Sequence, residues 1–210
     1  MRLIVLAAGQ SSRMGMAKGL CQVGGKTLIE SLGASFAAAQ GRDLVVVLGK
    51  DAASYLDAYP VWASGRPFDW MGLRTLVIIN EATERGPFYS LQCGIRALKR
   101  PAWSFVTPVD SFCQGAAFWR QLWERRSAGV LAICPRHANR GGHPVLLAPE
   151  MLMALREASW TGDSARLDLQ LRALEPSQRL WVEVDEPGLI LNLNTPDDLA
   201  TLRSNTSELV

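Results

Sequence analysis

The run Arg2-Leu3-Ile4-Val5-Leu6-Ala7 is apolar after its first residue and passes without a break into Ala8-Gly9-Gln10-Ser11-Ser12-Arg13-Met14-Gly15-Met16-Ala17-Lys18. No other stretch limits the fold so tightly. An apolar run without polar alternation is a strand covered on both faces, the situation of a parallel sheet flanked by helices. Ala8, Gly9, Ser11, Ser12 and Gly15 then let a backbone approach an anion closely and turn its N–H groups towards it. Arg13 adds a planar fork and Lys18 a point charge, so the loop reads as a phosphate site.

Counting removes two better-known phosphate motifs. A dinucleotide fingerprint requires Gly-x-Gly-x-x-Gly after the strand, but Gly9 is followed by Gln10 and Ser11, and no glycine returns before Gly15. Gly25-Lys26-Thr27 has the ending of a P-loop, yet the glycine required five places before Gly25 falls on Leu20. That tripeptide is expected to be a turn before a helix.

Further strands are expected at Leu44 to Leu48, Leu76 to Ile79, Ser104 to Thr107, Val130 to Cys134, Val145 to Leu147 and Leu180 to Val184. Apolar residues at three- and four-residue spacing predict helices over Thr27 to Ala39, Phe88 to Lys99, Ala116 to Arg126, Glu150 to Ala158 and Pro196 to Arg203. This alternation predicts an α/β fold with a largely parallel sheet. Thr195 and Pro196 suit the N-cap and first position of the last helix, with Asp197 and Asp198 in its first turn. Asp51 to Gly72 has weak periodicity and no assigned role, and Trp62 and Trp70 within it are expected to cover one end of the sheet.

At 210 residues and 48% hydrophobic content the chain can bury a substantial core, and a single domain over 1–203 with a frayed tail over 204–210 is expected. A net charge of +2 without blocks of like charge gives no footprint for nucleic acid or an anionic membrane. Cys21, Cys93, Cys113 and Cys134 are scattered, so neither a zinc site nor a disulfide framework is indicated. The first apolar run is too short for a signal peptide, and none approaches the roughly 18 residues of a membrane span. A cytoplasmic location and small-molecule partners are the expectation.

In an open α/β sheet, ligands sit beyond the carboxyl ends of the strands. There the first strand delivers Ala8, Gly9, Arg13 and Lys18, and the strand ending at Thr107 delivers Asp110. A carboxylate at that point can hold Mg²⁺, which takes one or two protein oxygens together with substrate phosphates. No nucleophilic Ser/His/Asp or Cys/His constellation is evident.

The loop from Leu6 to Lys18 resembles the signature of nucleotidyltransferases with the GT-A-like fold, most closely that of the molybdenum-cofactor (molybdopterin) nucleotidyltransferases. Further matches follow in order: Asn80 with Gly86-Pro87-Phe88-Tyr89-Ser90-Leu91, Pro108-Val109-Asp110, Gly142-His143-Pro144-Val145-Leu146, Gly162-Asp163-Ser164-Ala165-Arg166, and Asn192-Leu193-Asn194-Thr195-Pro196-Asp197-Asp198-Leu199. The resemblance implies a three-layer αβα nucleotide-binding fold with a mostly parallel mixed sheet. It also implies transfer of NMP from an NTP to a phosphorylated acceptor, molybdopterin, with release of pyrophosphate.

On that resemblance Lys18, Arg13 and Asp110 are the catalytic residues. Leu6, Ala7, Ala8, Gly9, Ser11, Arg13, Lys18, Asn80, Gly86 and Ser90 bind the nucleotide. Asp110 and Asn194 hold Mg²⁺, and His143 and Asn192 line the acceptor pocket. The family's Asp-x-Pro element departs here to Asp110-Ser111-Phe112. Ala8 and Gly142-His143-Pro144-Val145 resemble the cytidylyl branch, whereas Gly86-Pro87 and the pair Asn192 and Asn194 resemble the guanylyl branch; CTP is the expected nucleotide. A molybdoenzyme or its chaperone is the implied protein partner. A sugar- or polyol-phosphate acceptor, or a non-catalytic accessory protein that binds nucleotide or cofactor, are the alternatives.

Overall fold

The computed structural model describes residues 1–9, 15–111, 115–159, 161–162, 165–190 and 198. The first apolar run forms strand β1 (Arg2–Ala7), and its neighbours are β4 (Asp43–Leu48) on one side and β7 (Ser104–Pro108) on the other, both parallel to it. Leu3, Val5 and Ala7 enter one hydrophobic cluster, while Ile4 and Ala8 enter another. Successive side chains of a strand point to opposite faces, so this unbroken apolar run is what a doubly covered central strand requires.

Outward from β4 lie β6 (Leu73–Ile79), parallel to it, and the edge strand β5 (Phe68–Trp70), antiparallel. Beyond β7 come β10 (Val145–Leu147), antiparallel, then β8 (Ala132–His137) and β11 (Arg179–Glu183), which are parallel to each other. The order β11-β8-β10-β7-β1-β4-β6-β5, with β9 (Arg140–Gly141) paired to β8, makes a nine-stranded mixed sheet. β2 (Gln22–Val23) and β3 (Lys26–Thr27) form a separate hairpin.

Helices cover both faces. On one, α1 (Leu28–Ala38) contributes Ile29, Leu32 and Phe36, and α4 (Ala116–Glu124) contributes Phe118, Trp119 and Leu122. On the other, α3 (Gly86–Ala97) contributes Phe88, Leu91 and Ile95, α5 (Pro149–Glu157) Met151, Leu152 and Leu155, and α6 (Leu167–Arg172) Leu171. The expected three layers are present. The turn falls on Gly24 and Gly25, while Lys26 and Thr27 of the tripeptide expected to be a turn are strand β3, which leads into α1; its N-cap Thr27 accepts from the Glu30 N–H while Glu30 accepts from the Thr27 N–H, a reciprocal capping box.

Several elements were not legible in the sequence. β5 has three residues and the β2–β3 strands two each, too short to show a period. Helix α2 (Ala52–Ala58) buries a single side chain, Tyr55, and so has no apolar stripe, and α6 buries only Leu171. The weakly periodic stretch from Asp51 to Gly72 is thus α2, a 3-10 turn over Pro60–Ser64, and β5. Trp62 is 2% exposed there, stacked on Tyr55 and Tyr59 with Trp70 edge-on to it, and so belongs to the hydrophobic core. The expected helix from Pro196 to Arg203 and the tail lie outside the described residues. Among the described residues no helix is long and apolar enough to cross a membrane.

Candidate active site

The chain runs outward from β1 through β4 to β6, then returns to place β7 on the other side of β1. That reversal is the switch point at which ligands of open α/β sheets bind. Past the ends of the strands, the Val109 N–H donates to the Leu6 carbonyl at 3.0 Å and the Asn80 N–H to the Leu48 carbonyl at 2.8 Å. These bonds extend the parallel register by one step and set Ala8, Gly9 and Asp110 around one cleft of about 450 Å³. Leu6, Ala7, Ala8, Gly9, Lys18, Gly86, Ser90 and Asp110 all line it, eight of the residues expected from the sequence. Ser11 and Arg13 lie outside the described residues.

Lys18 opens a 3-10 turn over Lys18–Leu20, and its Nζ donates to Asp110 Oδ2 at 2.6 Å. Both side chains are about four-fifths buried. A cation and a carboxylate so placed beside a small-residue loop can act on one ligand from two sides. A lysine is able to attract phosphate oxygens, and a carboxylate to attract a metal that such oxygens also bind.

Asn80 and Ser90 are buried; Ser90 lines the cleft, whereas Asn80, expected to bind the nucleotide, is bonded to it and is not among the lining residues. Asn80 Nδ2 donates to Ser90 Oγ at 2.9 Å, and Asn80 Oδ1 accepts from the Ala82 N–H at 3.0 Å. Asn80 therefore ties the end of β6 to the turn that precedes α3 and orients the Ser90 hydroxyl. Gly86 begins α3 with φ of +84°, a left-handed conformation that favours glycine, and Pro87 follows at the first helical turn. The N-terminus of α3 accordingly faces the cleft. Lys50, Tyr55 and Thr83 line it as well and carried no motif. Lys50 did leave a signal, since it follows the apolar β4 run after a glycine, as Ala8-Gly9 follow β1.

A second cavity of about 690 Å³ adjoins the first and shares Leu6, Pro87 and Pro108 with it. Phe88, Leu91, Val145 and Leu171 give it an apolar floor, and Arg140, Arg166, Arg172 and Arg179 stand around it. His143 lines it too. Burial pushes the His143 pKa below its ordinary value, against the opposing effects of a hydrogen bond to the Val106 backbone and the charge of Asp110, so the ring is neutral at pH 7. Among the described residues, His143 Nδ1 and Arg179 Nε are buried without a hydrogen-bond partner. Asn192 and Asn194, expected beside this cavity and at the metal, lie outside the described residues. Among the described residues there is no group of three or more His, Cys, Asp or Glu side chains with metal-site geometry.

A sheet that gathers a small-residue loop, a lysine and a carboxylate at its switch point, with a second cavity alongside, is a nucleotide-binding α/β domain. The chain belongs to the MobA-like NTP transferase domain family, whose model matches residues 3–177, and so to a family of nucleotidyltransferases. A probable molybdenum cofactor guanylyltransferase of Deinococcus radiodurans is 27% identical over 97% of this chain and 94% of its own length. The molybdenum cofactor cytidylyltransferase of Escherichia coli is 26% identical over 63% of this chain and 65% of its own. Among solved structures, a nucleotidyl transferase from Methanothermobacter superposes with a TM-score of 0.77 at 22% identity, over 100% of this chain and 98% of that one.

Proposed function

We propose that the chain transfers a nucleoside monophosphate from CTP to molybdopterin, in the cytoplasm, and passes the product to a molybdoenzyme or its chaperone. The Lys18–Asp110 pair carries this reading, because it stands at the switch point between a phosphate loop and a separate cavity able to take an acceptor. An acceptor phosphate oxygen attacks the α-phosphorus, the bond to the β-phosphate oxygen breaks, and pyrophosphate leaves. Lys18 and Arg13 stabilise negative charge on the transferred and leaving phosphates.

Asp110 suits Mg²⁺, being a carboxylate in the cleft wall, and Asn194 is proposed as its second protein oxygen. Bound there, Mg²⁺ neutralises and orients the phosphates. Gly86 and the Ser90 hydroxyl, held by Asn80, face the base edge. His143, which lines the adjoining cavity, is proposed with Asn192 to meet the acceptor, and His143 Nδ1, without a partner among the described residues, gives the acceptor a polar atom to satisfy.

We favour CTP because Ala8, in place of a second glycine, lines the cleft together with Gly86 and Pro87 at the start of α3, and its methyl group would take room that a purine needs. A GTP reading is favoured by the guanylyl relative, which matches along nearly the whole chain. Pyrophosphate release with each of the four NTPs against molybdopterin tests the proposal. Transfer from CTP with kcat/KM above that of GTP is expected. A preference for GTP would replace the nucleotide, and activity only with a sugar or polyol phosphate would replace the acceptor.

A further inference from the structure

Lys18 reaches Asp110 across 92 residues of chain, and something must hold both backbones at the right separation. The structure shows what does. Gly19, next to Lys18, passes between the Tyr55 hydroxyl and Val109, next to Asp110. A Cβ placed on Gly19 would collide with Tyr55 Oη and lie 2.7 Å from Val109 Cγ2. Glycine is required there by close approach rather than by its dihedral angles. The Gly19 N–H donates to Tyr55 Oη at 2.9 Å in a buried bond. This amide is therefore committed to the protein, which leaves the Lys18 ammonium to meet the phosphates.

Tyr55 is itself held. It is 1% exposed and stacks on Trp62, at a centroid separation of 6.1 Å and an interplanar angle of 6°. Trp62 stacks in turn on Tyr59 at 4.8 Å, and the Tyr59 hydroxyl lies 2.8 Å from Thr27 Oγ1, the N-cap of α1. Two tyrosine hydroxyls thus pin the chain at both ends of the segment from Gly19 to Thr27. Burial raises the Tyr55 phenol well above its ordinary value, outweighing the Gly19 hydrogen bond, so the ring stays neutral and its oxygen remains an acceptor for Gly19.

We propose that Tyr55 is a positioning residue of the transfer reaction: through the Gly19 amide it wedges the Lys18 backbone against Val109 and so fixes the distance from Lys18 to Asp110. The aromatic stretch from α2 to β5 is then the brace of the phosphate loop as well as a cover for the sheet. The inference rests on the nucleotidyl-transfer reading of the cleft.

The test is Tyr55→Phe in the full chain, which keeps the stacking and removes only the acceptor oxygen. Amide exchange at Gly19 is followed by NMR, together with Tm, kcat, and KM for CTP and GTP with molybdopterin. Loss of one buried hydrogen bond is expected to lower Tm by about 2 to 4 °C in a chain of this size. Gly19 exchange should accelerate by at least about tenfold, and kcat should fall by about tenfold while KM changes less than about threefold, because a misplaced lysine weakens the transition state more than substrate binding. Unchanged kcat with unchanged Gly19 exchange would overturn the proposal, as would a loss of Tm with kcat intact. Should the unmodified protein transfer no nucleotide at all, the nucleotidyl-transfer reading fails. Gly19 exchange and Tm of both proteins then decide the brace separately, with unaltered exchange in Tyr55→Phe counting against it.

Discussion

The two cavities that meet at Leu6, Pro87 and Pro108 are built on different plans. In the smaller, polar groups are committed to one another before any ligand arrives: Lys18 to Asp110, Asn80 to Ser90, and the Gly19 amide to Tyr55. In the larger, Arg179 spends one guanidinium nitrogen on the Leu171 carbonyl and lies against the Trp181 ring, while its Nε and His143 Nδ1 have no partner among the described residues. The first plan lowers the cost of reorganisation during chemistry, because donors already in place need not move as charge develops. If the second is the acceptor site proposed above, buried polar atoms without a partner among the described residues would make recognition depend on the acceptor's own edge, since an analogue that lacks the matching group leaves them unpaired.

The comparison is broken most severely at the lysine. Lys18→Ala is expected to lower kcat by about a hundredfold or more, the scale for removing one preorganised charge-stabilising group, with the fold retained. Steady-state pyrophosphate release together with circular dichroism checks it, and full turnover in a folded variant would take Lys18 out of the mechanism. Asp110→Asn should come next. It removes the carboxylate that Mg²⁺ needs, so activity is expected to fall by about a hundredfold and to recover partly in excess Mg²⁺, while Tm shifts little. Activity that survives exhaustive chelation would contradict this.

Asn80→Ala tests whether pairing within the smaller cleft matters for the base. It strands the Ala82 N–H and releases Ser90, so a stability loss of about 1 to 3 kcal/mol is expected in urea titrations, with KM for nucleotide rising about tenfold and kcat changing less. Ala8→Gly removes the methyl group beside α3. The preference between CTP and GTP should narrow by a few-fold, and an unaltered ratio would show that Ala8 does not shape the base site.

The smallest effect belongs to the larger cavity. Because burial lowers the His143 pKa from its ordinary 6.5, the unfolded chain binds the extra proton between that lowered value and 6.5. Stability therefore rises with pH across this window and is lost as pH falls through it. In His143→Gln the decline in Tm between about pH 7 and about pH 5.5 should be shallower, and KM for the acceptor should rise a few-fold with KM for nucleotide unchanged. An identical pH profile would assign that decline to other groups.

Much of the central architecture was legible because its signals are local. The β1 run is apolar at every position from Leu3 to Ala7, and the burial of Leu3, Val5 and Ala7 on one face and Ile4 on the other follows directly. Gly25-Lys26-Thr27 read as the approach to a helix because the glycine count fails for a P-loop, and Thr27 caps α1, although Lys26 and Thr27 pair as β3. The edge strand β5 and the helix α2 were not legible, since β5 owes its state to pairing with β6 and α2 to the burial of one tyrosine, whereas the opposite edge strand β11 was expected at Leu180 to Val184. Eight expected cleft residues came from the loop signature and its companions, whereas Lys50, Tyr55 and Thr83 carry chemistry too common to mark them.

The sequence by itself determined a doubly covered first strand, a small-residue stretch behind it and a carboxylate at the end of a later strand, because strand burial and small-residue turns are written in contiguous residues. Tertiary structure alone decided that β7 returns beside β1, so that Lys18 and Asp110 come within 2.6 Å. It also decided that a tyrosine from an unpatterned segment packs against Gly19. Those contacts depend on which strands pair and on the space left between them, and neither is a property of any one stretch of chain.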